Sequence, residues 1–407
     1  MPYQIAGIDV HKKMLAVVVA DVEIDGDFHF KRQKVGTTPA DLRRLADWLV
    51  EHEVEEVVME STAQYWRPVW EALEQHWRPR RARDSAPKRA GTLHLAQAQS
   101  NRGPGGRKKD FPDAERLVKR LVAQELTLSF VPDVEQRLWR TVMRRKYQVT
   151  RNRVQLQNRL EALLEEAHIK VSSLVSDLLG ISARRMLQAL ADGETDPAAL
   201  ATLAAPRLRA TPEQLCDAFQ AGRTLHPVYR RLLKLMLEEL RVIEDHLGQL
   251  DQQMADLLAA HHDAVQRLAE VPGLGVDSAQ QLASWMGACP GNEESAGVNY
   301  SHRCPKGNRQ MRRVLNQAAN AAVKAKGTIF AVVYRRVVPR LGHAQAIGAI
   351  THRLCRLIWK ILHERVRYEE RGPAVSVEAK KVRARKMIRE LRGLGYRVEL
   401  VAPSATV

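Results

Sequence analysis

Long apolar runs are missing from this chain of 407 residues. None reaches the length of a transmembrane helix, and no signal peptide opens the sequence, so a cytoplasmic protein without membrane spans is expected. Cysteine is scarce as well: Cys216, Cys289, Cys304 and Cys355 are scattered, with no C-x-x-C pair. That spacing excludes a disulfide framework and a zinc ribbon, and the four read as reduced thiols. Acids are outnumbered, leaving a net charge of +17. Such an excess calls for a polyanionic partner; nucleic acid is the default, and a cationic membrane binder the weaker option. Core material is not lacking: hydrophobic residues make up 45%, enough for two or three folded domains and against global disorder.

The acids that are present fall in an informative order. Asp9 ends the apolar run Ile-Ala-Gly-Ile-Asp-Val-His, and Glu60 ends Val-Val-Met-Glu. Asp110 and Asp113, in Arg-Lys-Lys-Asp-Phe-Pro-Asp-Ala, share one face of the first turn of a predicted helix. Four carboxylates gathered at one point repel unless cations lie between them. Oxygen-only ligands suit Mg²⁺ or Mn²⁺, and two such ions can activate an attacking oxygen and stabilise a leaving one in phosphoryl transfer. Taken singly, each acid could equally be a solvated strand end, and Asp110 a helix cap.

Around these acids the first 130 residues read as α/β. Strands are expected at 5–10, 14–22 and 28–35 as an antiparallel meander, then at 56–59 and 93–96. Helices are expected at 40–52 (capped by Thr38), 65–75 and 112–124, giving a mixed sheet covered by helices. Residues 78–109 carry ten Lys and Arg against the single acid Asp84, and Gly-Pro-Gly-Gly at 103–106 marks a loop. This segment, with Arg107, Lys108 and Lys109 beside Asp110, reads as a phosphate-binding arm; the competing reading is a solvated basic loop.

Residues 133–167 read as one long helix. Asp133 and Gln136 give a capping-box-like start, and the expected seam is Leu138, Val142, Val149, Leu156, Leu163 and Ala167, with Arg145 and Asn152 at its polar positions. Between 136 and 160 there is no acid, so Arg144, Arg145 and Arg151 are candidate nucleic-acid contacts. After breaks near 192–196 and 207–212, a second long helix is expected over 227–261. Its seam of Leu233, Met236, Leu240, Ile243, Leu247, Leu250, Met254 and Leu257 predicts an antiparallel or intermolecular coiled coil.

Beyond Glu270, Val271-Pro-Gly-Leu-Gly-Val276 has the form of a helix-hairpin-helix turn, whose glycine amides can approach a phosphate. Next come Cys289-Pro-Gly-Asn-Glu-Glu-Ser-Ala-Gly297 and Pro305-Lys-Gly-Asn-Arg-Gln-Met-Arg-Arg313. The latter opens a helix whose N-terminus, with Lys306, Asn308, Arg309 and Arg312, suits phosphate. Helical patterns run on over 329–368, and a basic tail follows Gly372. The expected division is a catalytic domain at 1–130, a long-helix region at 131–262, a C-terminal domain at 263–372 and a tail at 373–407.

The four acids in context, the two long helices and the Cys-Pro-Gly-Asn…Lys-Gly-Asn-Arg block together resemble the DEDD-type insertion-sequence transposases, a family described as bridge-RNA-guided recombinases. The likeness runs over residues 4–371. It implies an α/β, RNase H-type (RuvC-like) N-terminal domain, long coiled-coil helices and a mainly α-helical C-terminal domain. It further implies that Asp9, Glu60, Asp110 and Asp113 hold Mg²⁺ or Mn²⁺, and that Ser295 is a nucleophile, with Ser301 its nearest rival. The implied partners are DNA, a structured guide RNA and further copies of the chain as dimers or tetramers. In the family a further helix and loop usually follow the Gly-Leu-Gly turn; here the turn runs almost directly into Leu282-Ala-Ser-Trp. Two other functions fit the residues: a metal-dependent nuclease without serine chemistry, and a decayed copy that only binds nucleic acid.

Overall fold

A computed structural model describes residues 3–22, 28–78, 91–98, 101, 110–284, 293–295, 298–301, 309–370 and short stretches between 384 and 398. The chain divides into two compact units, Met1–Asp133 and Val134–Val407.

Valine-rich strands build the first unit, since β-branched side chains pack well on a pleated, buried surface. β1 (Tyr3–Val10), β2 (Met14–Val22) and β3 (Phe28–Gly36) form the expected meander. β4 (Glu56–Glu60) and β5 (Thr92–Ala96) run parallel to β1, and β6 (Leu128–Ser129) returns antiparallel. The sheet order is therefore β3-β2-β1-β4-β5-β6. On one face lie α1 (Pro39–Glu51) and α2 (Trp66–His76), burying Leu45, Leu49 and Leu73 against Ile8, Val17 and Met59. α1 starts as the sequence predicts, with Thr38 and Asp41 in a reciprocal capping box and Pro39 in the first turn.

The opposite face is covered by α3 (Asp110–Val122), which buries Ala114, Leu117 and Val118. Gly7 sets how closely it lies: a Cβ there would sit 2.4 Å from the carbonyl oxygen of Ala114 and 2.8 Å from Val118. Only a residue without a side chain lets helix backbone rest directly on β1.

In the second unit, α4 (Val134–Glu166) and α8 (Pro227–Leu257) pair antiparallel. Ion pairs between Lys146 and Asp251, Arg153 and Glu244, and Arg159 and Glu239 run in opposite directions along the two helices. Toward the C-terminal half of α4, Leu156, Leu160 and Leu163 share a core with Leu233, Leu237 and Leu240, closed by α5 (Ile181–Asp192), α6 (Pro197–Thr202) and α7 (Pro212–Ala218). Toward its N-terminal half, Trp139 and Met143 join Met254 and Leu258 in a core with α9 (His262–Ala269), α10 (Val276–Ser284), α11 (Arg309–Ala322) and α12 (Ile329–His363).

The early seam of α4 differs from the expected one by a residue. Leu138 is 52% exposed, whereas Trp139, Met143 and Lys146 are buried. Heptad spacing does not distinguish neighbouring registers, and burying the large indole decides it. Arg145 and Asn152 are exposed; the polar positions on the partner side are Lys146, paired with Asp251 and Asp277, and Arg153, paired with Glu244.

The short segment after the Gly-Leu-Gly turn is folded. α10 begins one residue beyond Gly275 and buries Ala279 and Leu282 in the core. Gly273 has φ +88°, and a Cβ on it would meet the carbonyl oxygen of Ala318 at 2.3 Å and the amide nitrogen of Ala322 at 2.6 Å. This glycine is thus committed to packing against α11, while Gly275 has open space around it.

Candidate active site

Parallel pairing is what brings the first two acids together. β1 and β4 pair in register with Ile8 opposite Met59, so Asp9 and Glu60 stand side by side at the C-terminal edge of the two strands. Strand alternation turns both away from the α1–α2 core, toward the face that carries α3. α3 begins at that edge, with Asp110 and Asp113 in its first turn. Crevices at the carboxyl ends of parallel strands are the usual ligand sites of open α/β sheets.

Asp9 is the most buried acid of the group, 8% exposed. Its carboxyl is pushed above the ordinary value, first by burial; His11 opposes this, and the charges of Asp113, Glu60 and Asp110 add to it. All four acids are therefore close enough to share one electrostatic field. His11 Nε2 lies 3.1 Å from Asp9 Oδ2 and 3.5 Å from Asp110 Oδ1, and Lys34 Nζ lies 3.9 Å from Asp110 Oδ2. Asp9, His11 and Asp110 offer ligand atoms within 4.8 Å of one another, the one such group among the described residues.

The other two acids are held by a network. Asn101, 1% exposed, donates from Nδ2 to Glu60 Oε2 at 2.8 Å, and Thr62 Oγ1 donates to Oε1 at 3.2 Å. Arg116 donates from Nε to the Asn101 carbonyl oxygen at 3.0 Å and from Nη2 to Asp113 at 2.5 Å. Glu60 and Asp113 are thereby tied through one asparagine and one arginine. Crowded carboxylates, one of them desolvated and resisting ionisation, fit a divalent cation. His11, Lys34, Thr62, Asn101 and Arg116 escaped sequence reasoning. Arg116 carried a signal, three residues after Asp113 on a helix; Asn101, in an irregular segment, carried none.

The remaining candidates lie elsewhere. Arg107, Lys108, Lys109, Lys306 and Asn308 are outside the described residues. Arg145, Arg151, Arg309 and Arg312 are exposed and Arg144 is half-buried. The backbone of Ser295 ends β7 (Glu293–Ser295), which pairs antiparallel with β8 (Val298–Ser301). In that pairing Ser295 stands opposite Val298 and Ser301 opposite Glu293. Neither Cys216 nor Cys355 is in a disulfide. Among the described residues no helix is long and apolar enough to cross a membrane.

Comparison with known proteins defines the class. A transposase profile of the DEDD type matches residues 6–169, and a profile described as transposase, IS116/IS110/IS902 family, matches residues 263–335; together they span more than half of the chain. No curated protein matches it. Among solved structures the chain is similar to Thermus thermophilus RuvC, at 14% identity over 31% of this chain and 99% of that one, TM-score 0.23. It is also similar to the same protein in complex with Holliday junction substrate, at 15% identity over 31% of this chain and 99% of that one, TM-score 0.22. An Aquifex aeolicus member of the Ppx/GppA family matches at 11% identity over 59% of this chain and 99% of that one, TM-score 0.17. The chain is an enzyme acting on DNA, a transposase. It belongs to the IS110 family of DEDD transposases.

Proposed function

We propose that this transposase cuts and rejoins DNA with Asp9, Glu60, Asp110 and Asp113 as a cation-holding site and Ser295 as nucleophile, choosing its sites through a structured guide RNA. The carrying observation is that Asp9 and Glu60 end neighbouring parallel strands in register at one edge of the sheet, and that His11 joins Asp9 to Asp110 in the first turn of α3. When bound, Mg²⁺ or Mn²⁺ supplies the positive charge that activates an attacking oxygen and steadies the leaving one. Asp9 and Asp110 would hold it from β1 and α3, with Glu60 and Asp113 kept in place by Asn101 and Arg116.

A serine hydroxyl is a weak nucleophile until a base takes its proton. On attack, the Oγ–phosphorus bond forms, the bond from phosphorus to the departing strand end breaks, and that end takes a proton. The phosphoserine linkage conserves bond energy, so the strand can be resealed without ATP. The likeness of Glu294-Ser295-Ala296-Gly297 to the family's serine motif supports Ser295 over Ser301. Copies of the chain acting as dimers or tetramers would join the acids of one to the serine of another. Delegating sequence choice to base pairing leaves the protein to grip backbone through diffuse positive charge, consistent with the net charge of +17. The reaction would take place in the cytoplasm.

The test is covalent trapping. The full chain is co-expressed with its flanking DNA so that any guide RNA co-purifies, then incubated with labelled junction DNA and Mg²⁺ and resolved under denaturing conditions. A slow protein–DNA band, lost in Ser295→Ala and in Asp9→Ala, is expected. An undiminished band in Ser295→Ala rejects the serine. Cleavage without a band indicates a water-using nuclease, and binding without cleavage a decayed copy.

A further inference from the structure

We infer that His11 is a nitrogen ligand of the cation held by Asp9 and Asp110, making this a mixed nitrogen–oxygen site that favours Mn²⁺ over Mg²⁺. The inference rests on reading the acids as a cation site and goes beyond it, because carboxylate oxygens suit both Mg²⁺ and Mn²⁺ whereas a nitrogen ligand disfavours Mg²⁺.

Three observations carry it. First, one ring nitrogen faces both acids: His11 Nε2 is 3.1 Å from an oxygen of Asp9 and 3.5 Å from an oxygen of Asp110. Ligand atoms about 2.1 Å from an octahedral ion stand about 3.0 Å apart when adjacent, so these separations suit neighbouring positions around one ion. Second, the ends of two sheet strands place the imidazole. His11 lies in the tight turn between β1 and β2, where its amide donates to the Met14 carbonyl oxygen at 3.1 Å. Third, its side chain is 45% exposed, so an ion can enter between it and Asp9 without breaking the core. Lys34, 3.9 Å from Asp110 on the next strand, has no lone pair to offer and serves only as a counter-charge.

The chemistry sets the selectivity. Mg²⁺ demands oxygen ligands, whereas imidazole is a good ligand for first-row transition ions. To ligate, the neutral ring carries its proton on Nδ1 and turns the Nε2 lone pair to the ion.

The experiment uses the untagged full chain and Mn²⁺ alone. Electron spin-echo envelope modulation of bound Mn²⁺ reads directly attached ¹⁴N. Titration of the free-ion signal gives Mn²⁺ affinity, and competition gives Mg²⁺ affinity. Expected are ¹⁴N modulation in the wild type, its loss in His11→Ala, and a fall in Mn²⁺ affinity of about tenfold or more with a smaller change for Mg²⁺. Circular dichroism checks that the variant is folded. Mn²⁺ that binds in an Asp9-dependent way without ¹⁴N modulation overturns the role of His11 and leaves the cation site standing. Mn²⁺ binding that is absent, or undiminished in Asp9→Asn, overturns the cation site and the inference with it.

Discussion

Replacing Gly273 by alanine separates packing from phosphate contact in the Gly-Leu-Gly turn. At φ +88° an alanine costs roughly 1–2 kcal/mol, because its Cβ crowds the following carbonyl. That Cβ would also lie 2.3 Å from the Ala318 carbonyl oxygen and 2.6 Å from the Ala322 nitrogen, both backbone atoms of α11 that cannot rotate away. Overpacking of this kind typically costs about 1–3 kcal/mol. The sum is about 2–5 kcal/mol, or a fall in melting temperature of about 5 °C or more for a unit of this size. Gly275→Ala is the control. Nothing lies within 4 Å of its Cβ, and its φ is not in the left-handed region. Weaker capping of α10 and lower unfolded-state entropy roughly cancel, leaving a change within about 1 kcal/mol. Calorimetry would measure both variants, and hydrogen exchange would locate the loss in α9, α10 and α11, whose side chains share the core with Val271 and Leu274. Gly273→Ala within about 0.5 kcal/mol of the wild type would refute the argument, that being the scale of an inconsequential surface change. Equal losses in both variants would refute it too.

Four further outcomes follow from the same geometry. Asp9 has its carboxyl raised, so ionising it opposes folding above the folded pKa, and that opposition fades as pH falls through this value; Asp9→Asn should raise the melting temperature of metal-free protein at neutral pH. The same variant should lose the gain of about 2.7 kcal/mol that the wild type draws from Mg²⁺ at a hundred times its dissociation constant, read by thermal shift. Lys146 is held above its ordinary value of 10.5: burial alone would lower it, but the bonds to Asp251 and Asp277 outweigh that. Its contribution is fully present below 10.5 and is lost as pH rises through the folded value, so denaturant titrations above about pH 10.5 should weaken the wild type more than Lys146→Met. Asn101→Ala frees Glu60 from its 2.8 Å donor, and both Mg²⁺ affinity by calorimetry and strand cleavage should fall about 10–100-fold, as when outer-shell partners are lost elsewhere.

Much of the first unit was legible because period-2 runs and cap residues act locally. The three meander strands, the Thr38 cap and the paired acids of α3 all stand where the sequence puts them. The proximity of the acids was readable only as an order along the chain; the cause of that proximity was not. It depends on Gly7 letting Ala114 approach β1, a contact across more than a hundred residues that no local pattern encodes. The register of α4 failed for a related reason. Leu138 and Trp139 both satisfy a heptad, and the choice is made by Met254 and Leu258 on another helix. Asn101 was illegible because a buried asparagine in a loop looks like any turn residue until its partner Glu60 is known.

The four acids are not equally compensated, and the inequality has a direction. Asp113 has the Arg116 guanidinium, Glu60 has the Asn101 amide and the Thr62 hydroxyl, and Asp110 has Lys34 and a share of His11. Asp9 is the most buried of them and relies on His11, itself shared and half-exposed. A site held only by structural ion pairs would place its strongest donor on its most desolvated acid, since that is where an unpaired charge costs most. Here the donors sit at the periphery and the deficit sits at the centre. A divalent ion bound at Asp9 and Asp110 removes that deficit without displacing Arg116 or Asn101, so the network that fixes Glu60 and Asp113 before the ion arrives can persist after it binds. If these acids hold the proposed cation, the metal-free protein should gain stability from either a proton or an ion at the Asp9 carboxylate.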